Sequence, residues 1–355
     1  MNRLIHAAVT AFAASGLMIS PTPAQTVGKN PITVGPGKQY ESLWPAGKAS
    51  RPGDVIQVYG GGTEEFGDLQ IAHDLTIESV GDKVTLLAPT KKVGGGNVAK
   101  GILVVGSAKT EPTVTIKGFV FSGAKSSSFN GSGVRYQSGN LTLIDDTFTK
   151  NEDGVLGNPF AANTGTITMR NCTFDRNGSG DGQSHNIYIG DVAQFTLENS
   201  VSAHALVGHE VKSRAFRNII TNNRIFDGNG SAAFPGNATA SYSIDLPNGG
   251  DDIIRGNTIE KGPKSQATLA IHFGGPMLLN PDSRLVVQDN TIINDGSSHN
   301  VAVNNQSLDP VELIGNKLEN FGDDRVLEGI GSAKGNVNAS GRPLKDFVSN
   351  HFGDP

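Results

Sequence analysis

The segment His209–Arg214, HEVKSR, places a histidine, a glutamate, a lysine and an arginine within six residues. These types together suit β-elimination on a uronic-acid sugar, which removes the proton next to a carboxylate and expels the glycosidic oxygen. Such a reaction needs a base, a cation to neutralise the carboxylate so that the proton becomes acidic, and an acid for the leaving group. A lysine beside a second cation is a usable base, which points to Lys212. Arg214 keeps its charge and can hold a carboxylate through two parallel hydrogen bonds. Tyr188 or His272 can serve as the acid, and Asp245 can orient either of them.

Those residues need elements to bring them together. No amphipathic helical period of useful length runs through the chain after a short stretch near Leu43. A pair of short strands recurs instead. The first member is marked by an apolar residue at Ile102, Val134, Val155, Ile187, Val211, Ile244, Ile271 and Val301, at intervals of 21 to 33 residues. The second opens with a small polar residue: Asp146, Cys172, Asn199, Asn223, Asn257, Asn290 or Asn316. Strand pairs separated by Gly and Asn turns, without crossover helices, indicate an all-β solenoid, a single-domain parallel β-helix. Asn suits its column because it tolerates left-handed turns and its amide can bond the Asn above and below.

Aligning the first strands on their markers stacks the candidate residues. One position after the marker stand Arg135, Leu156, Tyr188, Lys212, Asp245, His272 and Ala302. One position before it stand Gly133, Gly154, Asn186, Glu210, Ser243 and Ala270. Both positions are expected to face outward, since side chains alternate along a strand. A further column holds His185, His209, Tyr242 and His299, and the position three after the marker holds Gln137, Asn158 and Arg214. The expected catalytic set is Lys212, Tyr188, Arg214, Glu210, Asp245 and His272. His185, Asn186, His209, Tyr242, Asn158 and Arg135 are expected to bind substrate. Four stacked coils span about 15 Å, enough for a few sugar rings.

At this level the chain resembles the right-handed parallel β-helix proteins of the pectate-lyase-like superfamily, through GPGKQYESL…RPGDVIQV and the strand–Asn repeat. The segment E-V-K-S-R…N-I-I-T-N-N is also similar to a strand of the alginate and chondroitin lyases of polysaccharide lyase family six. That resemblance implies Lys212 as the base. In that family the assisting arginine lies on a later coil, whereas Arg214 lies two residues away.

The expected activity is therefore a polysaccharide lyase acting on an acidic, uronic-acid-containing glycan. The alternatives are a glycoside hydrolase using Glu210 and Asp245 as its carboxylate pair, and a non-catalytic glycan-binding surface β-helix. His185, His209, Glu210 and Asp245 are types that bind metals, but no tight ligand spacing supports a site, so no metal is assigned. Calcium is compatible with the reaction and no pattern indicates it. SIDLPNGG, Ser243–Gly250, reads as a strand followed by a tight turn with Asn248-Gly249 as the turn pair.

The rest of the sequence bounds these readings. Residues 1–24 read as a secretory signal peptide, with Arg3 before an apolar run, so an exported, periplasmic or extracellular protein is expected. Residues 25–64 read as a leading strand and cap, 65–340 as the β-helix and 341–355 as a C-terminal tail. No later stretch is apolar for long enough to span a membrane. The single cysteine excludes an internal disulfide framework, and a net charge of -5 gives no basic footprint for nucleic acid. A monomer is expected.

Overall fold

The computed structural model describes residues 30–91, 96–158, 164–275, 280–281 and 283–350. The signal-peptide reading of residues 1–24 lies outside them. Among the described residues the strands form three parallel sheets that run the length of a right-handed β-helix. One coil serves as the pattern. Ile187–Ile189 lies in what is here called the site sheet, Gln194–Glu198 in the long sheet and Val201–Ala203 in the ladder sheet. The chain then re-enters the site sheet at Val211–Ser213, which pairs in parallel with Ile187–Ile189.

The turn from the long sheet to the ladder sheet is tight because one residue per coil adopts the left-handed conformation. Asp145, Asn171, Asn199, Asn222 and Asp289 have φ between 49° and 57°, and Gly256 and Gly315 take the same place at 68° and 64°. Asn and Asp tolerate this region and Gly enters it freely. The next residue forms the ladder. Asn223, Asn257, Asn290 and Asn316 each accept from or donate to the next through side-chain amides 2.9–3.0 Å apart. Asn336 extends the ladder, and Ser200, Cys172 and Asp146 continue it the other way. The ladder residue of the Cys172–Asn223 interval is thus Ser200. Asn199, expected there, is the left-handed residue before it.

Inside the helix, identical positions stack. Phe121, Phe148 and Phe174 are buried with ring centroids 4.8 and 4.9 Å apart and nearly parallel planes. Val134, Val155, Ile187, Val211, Ile244 and Ile271 form the apolar column of the site sheet. The column continues to Val303, not Val301, and to Leu103, not Ile102. A helix at Leu43–Ala49 packs on Leu69 at the N-terminal end. Parallel pairing begins with Ile32–Val34 against Asp54–Tyr59, ahead of residue 65. At the other end Phe347–Ser349 pairs antiparallel with Gly331–Lys334, so the segment read as a tail carries a strand.

One expectation about facing fails for a local reason. At the corner where the chain enters the site sheet, the residue before the marker also points inward. A Cβ on Gly133 would meet the Phe148 ring at 2.8 Å, and one on Gly154 the Phe174 ring at 3.1 Å. Where the phenylalanine column gives way to Ser202, the vacated space takes the larger Asn186 and Glu210. Alternation fails over the first residues of these strands, where the chain bends into the site sheet, and resumes from the marker on.

Candidate active site

The residues one position after the marker do face outward. Arg135, Leu156, Tyr188, Lys212, Asp245 and His272 are consecutive partners along the site sheet, followed by Asn304 in place of the expected Ala302. Tyr188, Lys212, Asp245 and His272 line a groove of about 420 Å³, together with Arg214, His185, His209 and Tyr242. The loop from the ladder sheet contributes the last three rings, which stack across coils. His185 lies 4.7 Å from His209, His209 lies 4.8 Å from Tyr242, and Tyr242 lies 5.3 Å from His272.

Asp245 is the hub of the groove. Its carboxylate accepts from Lys212 Nζ at 2.8 Å, His272 Nδ1 at 2.7 Å and His209 Nε2 at 3.3 Å. Burial alone would raise the pKa of this acid. The bonds from His209 and His272 and the charge of Lys212 overcome burial and hold it well below the usual carboxylate range.

The hydrogen bonds also set the histidine tautomers. The Tyr242 backbone N–H donates to His209 Nδ1, so His209 carries its proton on Nε2, toward Asp245. The His209 backbone N–H likewise donates to His185 Nδ1. Burial pushes both imidazoles down, helped for His185 by the neighbouring His209 and Lys212, so both are neutral near pH 7. His272 gives its Nδ1 proton to Asp245 and leaves Nε2 without a partner among the described residues.

Arg214 is fixed from two sides. Its Nε donates to the Tyr188 hydroxyl at 3.1 Å and its Nη1 to Asn248 Oδ1 at 2.5 Å. Asn248 belongs to the segment Ser243–Gly250, which the sequence marks only as a strand and turn. Its amide is buried and anchors the guanidinium, a role that only the fold reveals. Gln183, Ser241 and Pro247 also line the groove without having been anticipated. They lie on loops of unequal length, where no periodic signal singles them out.

Four expected residues lie elsewhere. Glu210 is fully buried on the inner side of the sheet. Its carboxylate accepts from Asn186 Nδ2 at 2.5 Å, the Ser202 hydroxyl at 2.9 Å and the Ala205 N–H at 2.8 Å. Burial, and then the nearby Asp227, push it well above the usual range. Asn186 is part of the same interior chain, which runs on through Asn177 and Asn151. Arg135 shares the outward column two coils from Tyr188 but does not line the groove. Asn158 donates to the Gln137 carbonyl, also away from it. His299 stands exposed beside Ser297, outside the ring stack. Among the described residues no group of three or more His, Cys, Asp or Glu side chains is arranged to hold a metal ion, and no helix is long and apolar enough to cross a membrane.

Residues 160–338, just over half of the chain, match the family described as right-handed β-helix region. No curated protein matches the sequence. Among solved structures the fold is similar to an alginate lyase from Paenibacillus sp. str. FPU-7, with a TM-score of 0.61 and 18% identity over 81% of this chain and 95% of that one. It is also similar to the pectate lyase Pel9A, with a TM-score of 0.53 and 14% identity over 89% of this chain and 76% of that one. At these identities the likeness concerns the fold.

Proposed function

The chain belongs to the right-handed β-helix family, and on that premise we propose that it is an exported polysaccharide lyase cleaving a uronic-acid-containing glycan by β-elimination. The observation that carries this reading is the grouping of Lys212, Arg214 and Tyr188 on one groove, with the Lys212 ammonium 2.8 Å from Asp245. The likeness to an alginate lyase and a pectate lyase supports it.

The roles follow from position. Arg214 meets the uronate carboxylate, and pairing that charge makes the adjacent C–H acidic. Lys212, an ammonium at rest beside Asp245, releases a proton to solvent and then takes the proton from the sugar. The ammonium so formed is stabilised by Asp245, so the ion pair favours the product of proton transfer. Tyr188 gives its hydroxyl proton to the departing glycosidic oxygen as the C–O bond breaks, leaving a C=C bond on one product. The neutral rings of His185, His209 and Tyr242 form one wall and offer flat faces to sugar.

The test is ultraviolet absorbance of the new C=C bond when the mature protein meets alginate and polygalacturonate, with Lys212→Ala alongside. A rise that disappears in the variant is expected. Reducing ends that accumulate without absorbance would replace elimination by hydrolysis. Full lyase activity in Lys212→Ala would remove Lys212 as the base.

A further inference from the structure

A second cleft, of about 630 Å³, lies on the loops between the ladder sheet and the site sheet, toward the N-terminal end of the groove. Lys125, Lys150 and Arg176 bring positive charge to it, and Phe129 and Leu206 line it with exposed apolar surface. From these residues we infer a secondary site that binds an acidic sugar chain. The inference rests on the reading of the protein as one that acts on uronic-acid glycans, and adds to it a place where the chain is held without being cut.

The cleft is built rather than incidental. Lys150 and Arg176 both adopt the left-handed conformation, at φ 59° and 56°, and occupy the same place on adjacent coils, the Lys150 N–H donating to the Arg176 carbonyl. Two consecutive coils therefore present a cation at one position. Arg176 already holds Asp175 at 2.6 Å, whereas among the described residues neither Lys125 nor Lys150 has a carboxylate in ion-pair range. Those two ammonium groups are the ones free to take a ligand's charge.

Phe129 is 62% exposed and itself left-handed at φ 59°, an unusual conformation for a large aromatic residue. It is held there from below. The buried Glu152 carboxylate accepts the N–H groups of both Ser126 and Gly131, pinning the two ends of the loop that carries the ring. Leu206 is 41% exposed across the cleft. A flat ring and ammonium groups lining one cleft fit a chain of sugars, which offers C–H faces and one carboxylate per residue. The two sites also adjoin: the turn Gly178–Gly182 lends Gly178 to this cleft and Gly182 to the active-site groove.

The experiment is affinity electrophoresis in gels containing alginate or polygalacturonate, all in the Lys212→Ala background so that the polymer is not consumed. Lys125→Glu with Lys150→Glu, and separately Phe129→Ala, are compared with a control of equal charge change, Lys109→Glu with Lys117→Glu, on exposed surface elsewhere. At least about a fivefold weakening by each cleft variant, with the control unchanged, is expected. Equal weakening by the control would reduce the effect to net charge and overturn the site, as would unchanged retardation, equal retention by a neutral glycan, or no retention of any variant. Because the readout is binding, the site can stand even if turnover tests remove the lyase reading.

Discussion

Lys212 and Asp245 stand side by side on adjacent coils, 33 residues apart in sequence, with 2.8 Å between ammonium and carboxylate. Asp245 is almost wholly buried, and its two oxygens take three donors. The geometry of the groove depends on that one carboxylate.

Asp245→Asn therefore keeps the shape and removes the charge. Leaving Lys212 without its partner is expected to cost about 3 kcal/mol of stability, since breaking a buried pair exposes the uncompensated charge of the other member. Turnover should fall by about 100-fold or more, because the ammonium formed by proton abstraction loses its stabilisation. Urea denaturation and initial rates on the same preparation check both parts.

Glu210→Gln should behave differently. The carboxyl lies inside the helix, is pushed toward its neutral form by burial, and touches no group of the groove. The amide nitrogen must face either Asn186 Nδ2 or the Ala205 N–H, so a stability loss of about 1–3 kcal/mol is expected, with activity of the folded protein within about threefold of wild type. A loss of activity comparable with that of Lys212→Ala would restore the hydrolase reading with Glu210 and Asp245.

Tyr188→Phe and Arg214→Lys separate chemistry from binding. Tyr188→Phe removes the hydroxyl that Arg214 contacts and is expected to lower kcat by about 100-fold with little change in KM. Arg214→Lys keeps a charge but loses the planar fork held by Asn248. Its larger effect should be on KM. Steady-state kinetics on a polymer that the wild type cleaves decide the split.

The ladder should be weakest to substitution in its middle. Asn257→Ala removes bonds to Asn223, Asn290 and the Ile220 carbonyl, leaving buried donors and acceptors without partners. A loss of about 2–4 kcal/mol is expected. Asn336→Ala, at the C-terminal end, loses three side-chain bonds where Asn257→Ala loses four, having no following rung, and should cost somewhat less. Denaturant midpoints at constant m-value provide the comparison.

Asp252 gives the stability a pH signature. Burial pushes its carboxyl up to about 8, against the hydrogen bonds from Asn218. The folded state therefore binds a proton that the unfolded chain has released. Its contribution is fully present below about pH 4 and is lost as pH rises to about 8. Asp252→Asn keeps the acceptor for Asn218 and removes the titration. Between about pH 5 and pH 8 the wild type should lose about 2–4 kcal/mol more than the variant. Parallel slopes for the two proteins would show that Asp252 is ionised in the fold.

The sequence by itself determined the repeating unit, the all-β solenoid and the outward column Tyr188, Lys212, Asp245, His272. These are local properties: strand alternation sets which residue of a pair points out, and Gly and Asn turns punctuate the coils. The tertiary structure decided whatever depends on how one coil docks on the next. Val301 and Val303 are both apolar, and only inter-coil hydrogen bonding selects Val303 and so puts Asn304 in the column. Asn199 and Ser200 are both small and polar, and only the left-handed turn assigns the ladder to Ser200. Glu210 and Val211 are adjacent in a strand-like run, yet the bend at the sheet corner turns both inward. The grip of Asn248 on Arg214 joins residues 34 apart across loops of unequal length, where periodicity carries no information about contact.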